Sequence, residues 1–556
     1  MDIRVKAYNE ALYSALKSKG SVPTNRLLGI MLKEHPELKD DIAGLKDIIV
    51  EVCNQINNMS AEEVSKEAEE KGIVYEEKPR ERKGLIELNI NNGFRTRLPP
   101  EPSKHLHVGH AIGFMLSALY AEKYNGKIVL RIEDTNPQLA RQEYVDSILD
   151  DINNYLGIGI DNTNYASDHM EYYYDNARQL ISNGNAYACN CSREDMAMMR
   201  NNATECKCRN NTIEKNTIAF DEMIAGKHEP GTIVLRLKGD MQSKNMVMRD
   251  PVLFRIIKEP HYRHATKYNV WPVYDYENSL MDSYEEITHI LRSNEFGDMR
   301  IELQNHIREL LNMRQPESIQ YGRFSVEGAT TKGREIRESI SKGLYSGWDD
   351  PRLYTLKALR RKGITPMAIR EIALEAGLSP TPTIIDKKMI ATFNRRIIDY
   401  SSDRFSFVYD PIRIIVNGLV KNSELPLHPK DDDRGMRILR VNEKLFIRKE
   451  DHNNGYIRLA DLANITIKDN EVLIDSYSID DYRNNNGKNI INWLPDDNKQ
   501  LMRCMVLMDD ATIIEGLVEK NIMSKNVGDM VQLERFGFCR IESLHDDEAR
   551  LIFAHK

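Results

Sequence analysis

The chain has 556 residues, 41% of them hydrophobic, and 85 acidic against 77 basic side chains give a formal net charge of −8. That length predicts roughly three to five domains of about 100–200 residues each. No apolar run approaches the roughly 20 residues of a membrane span, and MDIRVKAYNEALYSALKSKG lacks the apolar core of a secretory signal, so a soluble, cytoplasmic protein with no membrane partner is expected. The acidic balance argues against a nucleic-acid partner only if charge is spread evenly. It is segregated: residues 351–370 carry six basic side chains and no acidic one, whereas the stretch from Asp134 to Asp175 is strongly acidic. Taken alone, a basic helix more often marks a solvated face.

Residues 1–85 read as helical and rich in Lys and Glu, with turn signals at Gly20 and Pro23 and a charged linker from Glu76 to Lys83. From 86 the pattern alternates strand and helix, which predicts a parallel sheet: LIELNI, a short strand from Gly93 to Arg97, a helix, KIVLRIED, and a helix through Tyr144, Ile148 and Ile152. Pro99, Pro100 and Pro102 cannot continue a ladder. Val108, Ile112, Met115 and Leu119 then recur at helical spacing until Gly126 supplies a stop. His107 and His110 fall in the first turn, on one side, where both can donate to a phosphate drawn to unpaired backbone N–H groups. Gly109 between them leaves room for a flat base against the backbone. An isolated pair of this kind more often merely caps its helix. Ligands of parallel sheets gather at the carboxyl ends of the strands, which puts Arg97 and the turn from Arg131 to Pro137 on one rim.

Farther along, Cys189 and Cys191 are followed after fourteen residues by Cys206 and Cys208, a spacing that can close around one tetrahedral zinc; four thiolates leave no open catalytic position. Cys53, Cys504 and Cys539 stand alone. GTIVLRLKGDM and NMVMRDPVLFRI read as strands. Tyr274 and Asn278, four apart, share a helical face, and Arg292 ends the strand-like ITHILR. Toward the C-terminus, alternating apolar residues between NNG, KDN and NNNGK turns predict antiparallel hairpins.

The run RLPPEPSKHLHVGH, residues 97–110, closely resembles the signature of class I aminoacyl-tRNA synthetases of the glutamyl and glutaminyl branch, with HVGH standing for the family's HIGH motif. The resemblance extends through RIEDTNP, the cysteine knuckle, WPVYDYENSLMDSYEEITHILRSNEF, GWDDPR and the C-terminal PLHP, INWLP and VGDMVQLERFGFCRIE, so it covers almost the whole chain. It implies an α/β fold: a Rossmann-type parallel-sheet catalytic domain with an inserted acceptor-binding domain, a helical stem-contact region and C-terminal antiparallel β-barrels. The implied division is a helical N-terminal extension (1–85), the first catalytic half (86–187), the acceptor-stem insertion with its four-cysteine knuckle (188–255) and the second catalytic half (256–320). A lysine-loop and stem-contact region (321–390) and an anticodon-binding region (391–556) follow.

The resemblance also implies roles. His107, Gly109 and His110 would bind ATP, and Arg97, Glu101, Glu133, Asp134, Tyr274, Asn278 and Arg292 the amino acid, with Glu133 and Asp134 both candidates for holding its ammonium group. Trp348, Arg352, Arg395 and Arg396 would contact tRNA, and Cys189, Cys191, Cys206 and Cys208 a structural Zn²⁺. The family's second signature, a mobile lysine loop, is degenerate here. Ile522 to Asn526 and Ser339 to Gly343 match in letters, but the family places the loop just upstream of a run matched by Ile336–Arg352, which selects Thr330 to Arg334, with Lys332 as the mobile cation and Arg334 as its alternate. Arginine at 292 is the glutamyl choice, since two guanidinium groups, Arg97 and Arg292, can pair with both carboxylates of glutamate. The implied activity is ATP- and Mg²⁺-dependent ligation of L-glutamate to tRNA(Glu), as in archaeal-type members. Charging of tRNA(Gln) and association with other translation components are left open. Glutaminyl-tRNA synthetase and a noncatalytic tRNA-binding paralogue are the alternatives.

Overall fold

The computed structural model describes residues 3–18, 22–35, 38, 41–73, 84–91, 93–469 and 471–556. The expected turn at Gly20 and linker from Glu76 to Lys83 lie outside the described residues. The chain divides into two compact units, residues 1–82 and 83–556.

In the first unit, α1 (Ile3–Ser18), α2 (Thr24–Glu34), α3 (Ile42–Asn57) and α4 (Ala61–Glu70) bury one stripe each, including Ala7 and Ala11 of α1 and Ile49, Val52 and Ile56 of α3. Ser60 starts α4 with a capping box: its hydroxyl accepts from the Glu63 N–H and the Glu63 carboxylate accepts from its own.

In the second unit, β1 (Arg95–Leu98) leads through α5 (Val108–Lys123) to β2 (Lys127–Ile132), and α6 (Gln142–Asp150) leads on to β3 (Asn162–Tyr165). The chain then leaves this sheet. After α7 (Met170–Ser182) come β4 (Ala186–Cys189), α8 (Arg193–Asn201), α9 (Ile213–Ile224), β5 (Val234–Leu237), β6 (Val252–Ile256) and β7 (Val270–Pro272), whose strands form an antiparallel sheet in that order. It returns through α10 (Tyr274–Tyr284) to β8 (His289–Ser293), α11 (Gly297–Leu310) and β9 (Glu317–Tyr321).

β1 pairs in parallel with β2, β2 with β3, and β8 with β9. β8 is tied to the free edge of β1: the Arg95 N–H donates to the Thr288 hydroxyl (2.8 Å) and the Thr288 N–H to the Arg95 carbonyl (2.9 Å). The spatial order β3-β2-β1-β8-β9 reverses direction at β1, the switch point at which doubly wound sheets bind ligands. Helix α5 is apolar on nearly all sides because both are covered. Its Ile112, Leu116 and Leu119 share one core with Leu130 and Ile132 of the sheet and with Ile369 and Ile372 of a later helix.

β10 (Phe324–Val326), α12 (Gly333–Ser341), α13 (Leu356–Arg361), α14 (Pro366–Ala376), β11 (Thr383–Ile385) and α15 (Lys387–Ile398) follow. The remainder is mostly β. Seven strands form a sheet whose two edge strands, Asp403–Phe405 and Phe407–Tyr409, are consecutive in the chain, so the sheet curls nearly into a barrel. Cys504 and Cys539 are buried in its core.

Several expectations are corrected. LIELNI is not a strand; it is held by the last residue of α5 and its cap, with Lys123 Nζ donating to the Leu85 carbonyl (2.8 Å) and the Leu88 N–H donating to the Tyr124 hydroxyl (2.6 Å). The stop after α5 is made by Asn125 at φ 47°, and Gly126 is required because a Cβ there would lie 2.4 Å from the Phe94 carbonyl oxygen. Of the three hairpin signals only KDN joins paired neighbours. NNG follows a 3₁₀ turn, and NNNGK follows a short helix and leads into a parallel pairing. Residues 188, 255 and 391, at which the sequence division is drawn, lie within β4, β6 and α15.

Candidate active site

A cavity of about 970 Å³ opens at the carboxyl ends of the parallel strands. Its walls come in part from four of them and the loops that follow: Arg97, Glu101, Lys104, His107 and His110 at and after β1, Glu133, Thr135 and Asn136 after β2, Leu291 to Ser293 at the end of β8, and Tyr321, Arg323 and Phe324 at and after β9. Such a volume is in the range of small-molecule sites.

His107 is the N-cap of α5 and His110 its third residue. Each ring accepts a backbone hydrogen bond at Nδ1, His107 from the Gly109 N–H (3.1 Å) and His110 from the His107 N–H (3.2 Å). The rings lie 3.8 Å apart between centroids. Burial lowers the pKa of His107 to about 3 and that of His110 well below 6.5. Both are therefore neutral near pH 7, with the proton on Nε2, which makes them paired uncharged donors beside a helix N-terminus. The capping role and the donor role use different nitrogens, so one does not exclude the other. At Gly109 a Cβ would sit 3.0 Å from His107 Cε1 and 3.2 Å from the Phe324 carbonyl oxygen, so a larger residue would crowd the first turn and its neighbours would have to give by a few tenths of an ångström.

Beside the histidines lie cations that sequence reasoning missed. Lys104 lines the cavity, its pKa lowered by burial, and its ammonium donates to the Thr331 carbonyl (3.5 Å). Arg323 also lines it and pairs with Glu295 at 3.0 Å. Lys104 stands inside the run that carries the histidines and was open to recognition as a third polar group of that loop. Arg323 has no such local signal. Lys332 lines the same cavity as the N-cap of α12, exposed and paired with Glu335 at 2.8 Å, while Arg334 lies outside the lining. The other two lysine-loop matches are engaged elsewhere, Lys342 with Glu338 and Lys525 with Asp403.

The amino-acid candidates divide. Arg97, Glu101, Glu133, Tyr274 and Arg292 line the cavity. Asp134 does not: its carboxylate accepts from the Ser167 N–H (2.8 Å) and hydroxyl (2.9 Å) and from the Tyr262 hydroxyl (2.7 Å), and so pins the loop after β2. Asn278 also stands behind the wall, where its Nδ2 donates to Glu133 Oε1 (2.7 Å). The reason is physical: consecutive residues leaving a strand point opposite ways, so only one of Glu133 and Asp134 can face the cavity.

Behind this wall sits a buried charge cluster. Asp282 Oδ1 accepts from Arg97 Nε (3.0 Å) and Arg131 Nη2 (2.9 Å), and Oδ2 accepts from Arg308 Nη2 (2.8 Å). Three guanidinium groups hold its carboxyl down to about 2 against the opposing effect of burial. Arg97 thus enters the cavity from a fixed root. Glu133 moves the other way, to about 7, because burial outweighs the nearby Arg131 and Arg97.

Of the expected tRNA contacts, Arg352, Arg395 and Arg396 line one cavity of about 870 Å³, and Trp348 lies outside its lining. Trp348 packs edge-on against His105 (4.9 Å) and Tyr144 (6.3 Å), and Arg352 forks onto Asp350. Arg395 and Arg396 are exposed on α15. The basic stretch 351–370 is largely neutralised, with Arg360 on Asp150, Arg361 on Glu542 and Arg370 on Glu122.

The four cysteines of the knuckle come together, all Sγ atoms within 4.8 Å of one another. Cys189 ends β4 and Cys206 begins a 3₁₀ turn after α8, so long-range folding closes the site. The donor set fits zinc, and the buried Arg236, whose Nη1 lies 3.8 Å from the Sγ of both Cys189 and Cys206, offsets the excess negative charge of four thiolates. Cys206→Ser is expected to abolish a content of about one zinc per chain, measured by elemental analysis, and to leave the KM for ATP unchanged. Unmutated protein isolated under reducing, chelator-free conditions with well under one zinc would refute the assignment.

A doubly wound sheet with paired histidines at the first helix, cationic loops opposite them and an arginine-bounded pocket between defines a nucleotide-dependent activating site. Residues 93–400 match the family model of tRNA synthetases class I (E and Q), catalytic domain; residues 402–480 and 490–542 match two models of the anticodon-binding domain of that family. The chain belongs to the class I tRNA synthetases of the E and Q branch. It is 36% identical over 564 residues to the glutamate–tRNA ligase of Methanobrevibacter smithii, each chain being covered in full. It is 35% identical over 551 residues to that of Methanocaldococcus jannaschii (98% and 99% covered) and 33% identical over 580 residues to that of Pyrococcus furiosus, again over both whole chains. No described helix is long and apolar enough to cross a membrane.

Proposed function

We propose that this chain ligates L-glutamate to the 3′ end of tRNA(Glu) through a glutamyl adenylate, consuming ATP and releasing AMP and diphosphate. The observation that carries the reading is the pair of arginines, Arg97 from the end of β1 and Arg292 from the end of β8, lining one cavity with two neutral histidine donors. Glutamate carries two carboxylates and an ammonium group. Guanidinium groups pair with the former, and Glu133, whose proton an arriving ammonium would displace, suits the latter.

The α-carboxylate of glutamate attacks the α-phosphorus of ATP and expels diphosphate. His107 and His110 donate through Nε2 to oxygens that gain charge in this step, while Lys104 and Lys332 provide positive charge on the same cavity wall. Mg²⁺ bound with ATP supplies further neutralisation of its phosphates. A hydroxyl of the terminal ribose at the 3′ end of tRNA then attacks the activated carbonyl and releases AMP. No covalent bond to the enzyme is formed. The two anticodon-domain matches and the full-length likeness to glutamate–tRNA ligases support tRNA as the acceptor, and a cytoplasmic location goes with this reading.

The test is charging of purified tRNA(Glu) and tRNA(Gln) with each amino acid in the presence of ATP. Glutamate is expected on tRNA(Glu), and the tRNA(Gln) arm decides whether that tRNA is a second acceptor. Preferential transfer of glutamine would make the chain a glutaminyl enzyme, and no transfer of either a noncatalytic relative.

A further inference from the structure

Arg292 Nη1 donates to Gln304 Oε1 (2.9 Å), and Gln304 Nε2 donates to Asp275 Oδ1 (3.1 Å). Asp275 is itself held by Arg300, whose Nη1 donates to its Oδ2 (2.6 Å). Gln304 is buried on α11, while Arg292, Asp275 and Arg300 line the cavity. An amide side chain has a donor end and an acceptor end, and a carboxylate can only accept. Asp275 therefore sets the orientation of the Gln304 amide, which must present its oxygen to Arg292.

The chemistry of that contact differs from its neighbours'. Arg97, Arg131 and Arg308 all donate to the carboxylate of Asp282, whereas Arg292 donates to the neutral amide oxygen of Gln304 and, through Nη2, to the Tyr274 hydroxyl (3.5 Å). An amide orients the guanidinium without cancelling its charge. A carboxylate at the same distance would orient it equally well, but would lower the attraction left for a ligand's carboxylate.

Resting on the function proposed above, we propose that Gln304 is a specificity-determining positioning residue. Its neutral oxygen, held in register by Asp275, aims Arg292 at the side-chain carboxylate of the amino acid and, unlike a carboxylate in its place, adds no negative charge that competes with that ligand. The residue acts through Arg292 and need not touch the substrate.

The experiment measures kcat/KM for tRNA charging with glutamate and with glutamine in the unmutated enzyme, Gln304→Glu and Gln304→Met. The KM for ATP serves as the control for an intact fold. Gln304→Glu is expected to narrow the glutamate preference by about tenfold or more through the KM for glutamate, with the KM for ATP unchanged. Gln304→Met keeps the charge of Arg292 but removes its acceptor, so it should narrow the preference less. A merely structural role would lower charging with both amino acids in step, and that result, or a preference within twofold of the unmutated enzyme in Gln304→Glu, overturns the proposal. If Gln304→Glu also loses ATP affinity, Asp275→Asn decides. An asparagine no longer dictates the orientation of the amide, so the preference should fall, and an unchanged preference refutes the relay. Preference of the unmutated enzyme for glutamine would instead overturn the function on which this inference rests, independently of the variants.

Discussion

His110→Ala is expected to slow adenylate formation by about two to three orders of magnitude, the loss typical of one preorganised donor to developing charge, or about 2.7–4 kcal/mol. His107→Ala is expected to follow it. The readout is single-turnover production of AMP from ATP with glutamate and tRNA present; tRNA binding, measured separately, should be preserved. Each substitution also removes a hydrogen bond within the first turn of α5, worth about 1 kcal/mol for a cap. That loss appears in thermal unfolding and is too small to explain the kinetic effect. The depressed pKa values add a pH signature. Both histidines titrate lower in the folded than in the unfolded chain, so they contribute stability that is fully present above pH 6.5 and is lost as the pH falls from there, for His107 toward about 3. Near-normal single-turnover rates in both variants would sink the assignment.

The second large effect is amino-acid discrimination. Replacing Arg292 with leucine removes a guanidinium from the cavity wall and should weaken glutamate far more than glutamine, because only glutamate brings a second carboxylate. Charged hydrogen bonds contribute about 1.5–3 kcal/mol. The ratio of kcat/KM for the two amino acids should therefore narrow by about one to two orders of magnitude, each factor of ten being about 1.4 kcal/mol. Arg292→Leu should exceed Gln304→Glu in this respect, since it removes the cation instead of reducing its effect. Equal losses for both amino acids would show that Arg292 supports the pocket without reading the ligand.

The groups behind these effects differ in where each is rooted. The histidines depend on the backbone of their own turn, and both acceptor contacts lie within three residues. Arg292 depends on a side chain twelve residues ahead on α11. Arg97 depends on Asp282, 185 residues away in the chain. The farther the supporting group, the less a local pattern can say about it.

Local chemistry was enough to read the loop after β1, since prolines end a ladder by geometry and the apolar spacing that follows can only be a helix with the histidines at its start. The spacing of the cysteines, and the motif run that places the chain among class I synthetases, were legible for the same reason. What belongs to tertiary structure is the choice among equivalent candidates. Glu133 lines the cavity and Asp134 does not because Ser167 and Tyr262, brought in from 33 and 128 residues away, donate to one carboxylate and leave the other. Lys332 reaches the cavity because its loop packs beside Lys104, and Lys525, in the better literal match, is held by Asp403. Asp282 and Gln304 carry no motif at all. Their importance arises only when folding desolvates them against guanidinium groups, where an unshared charge or a misdirected amide is costly and each buried partner becomes decisive.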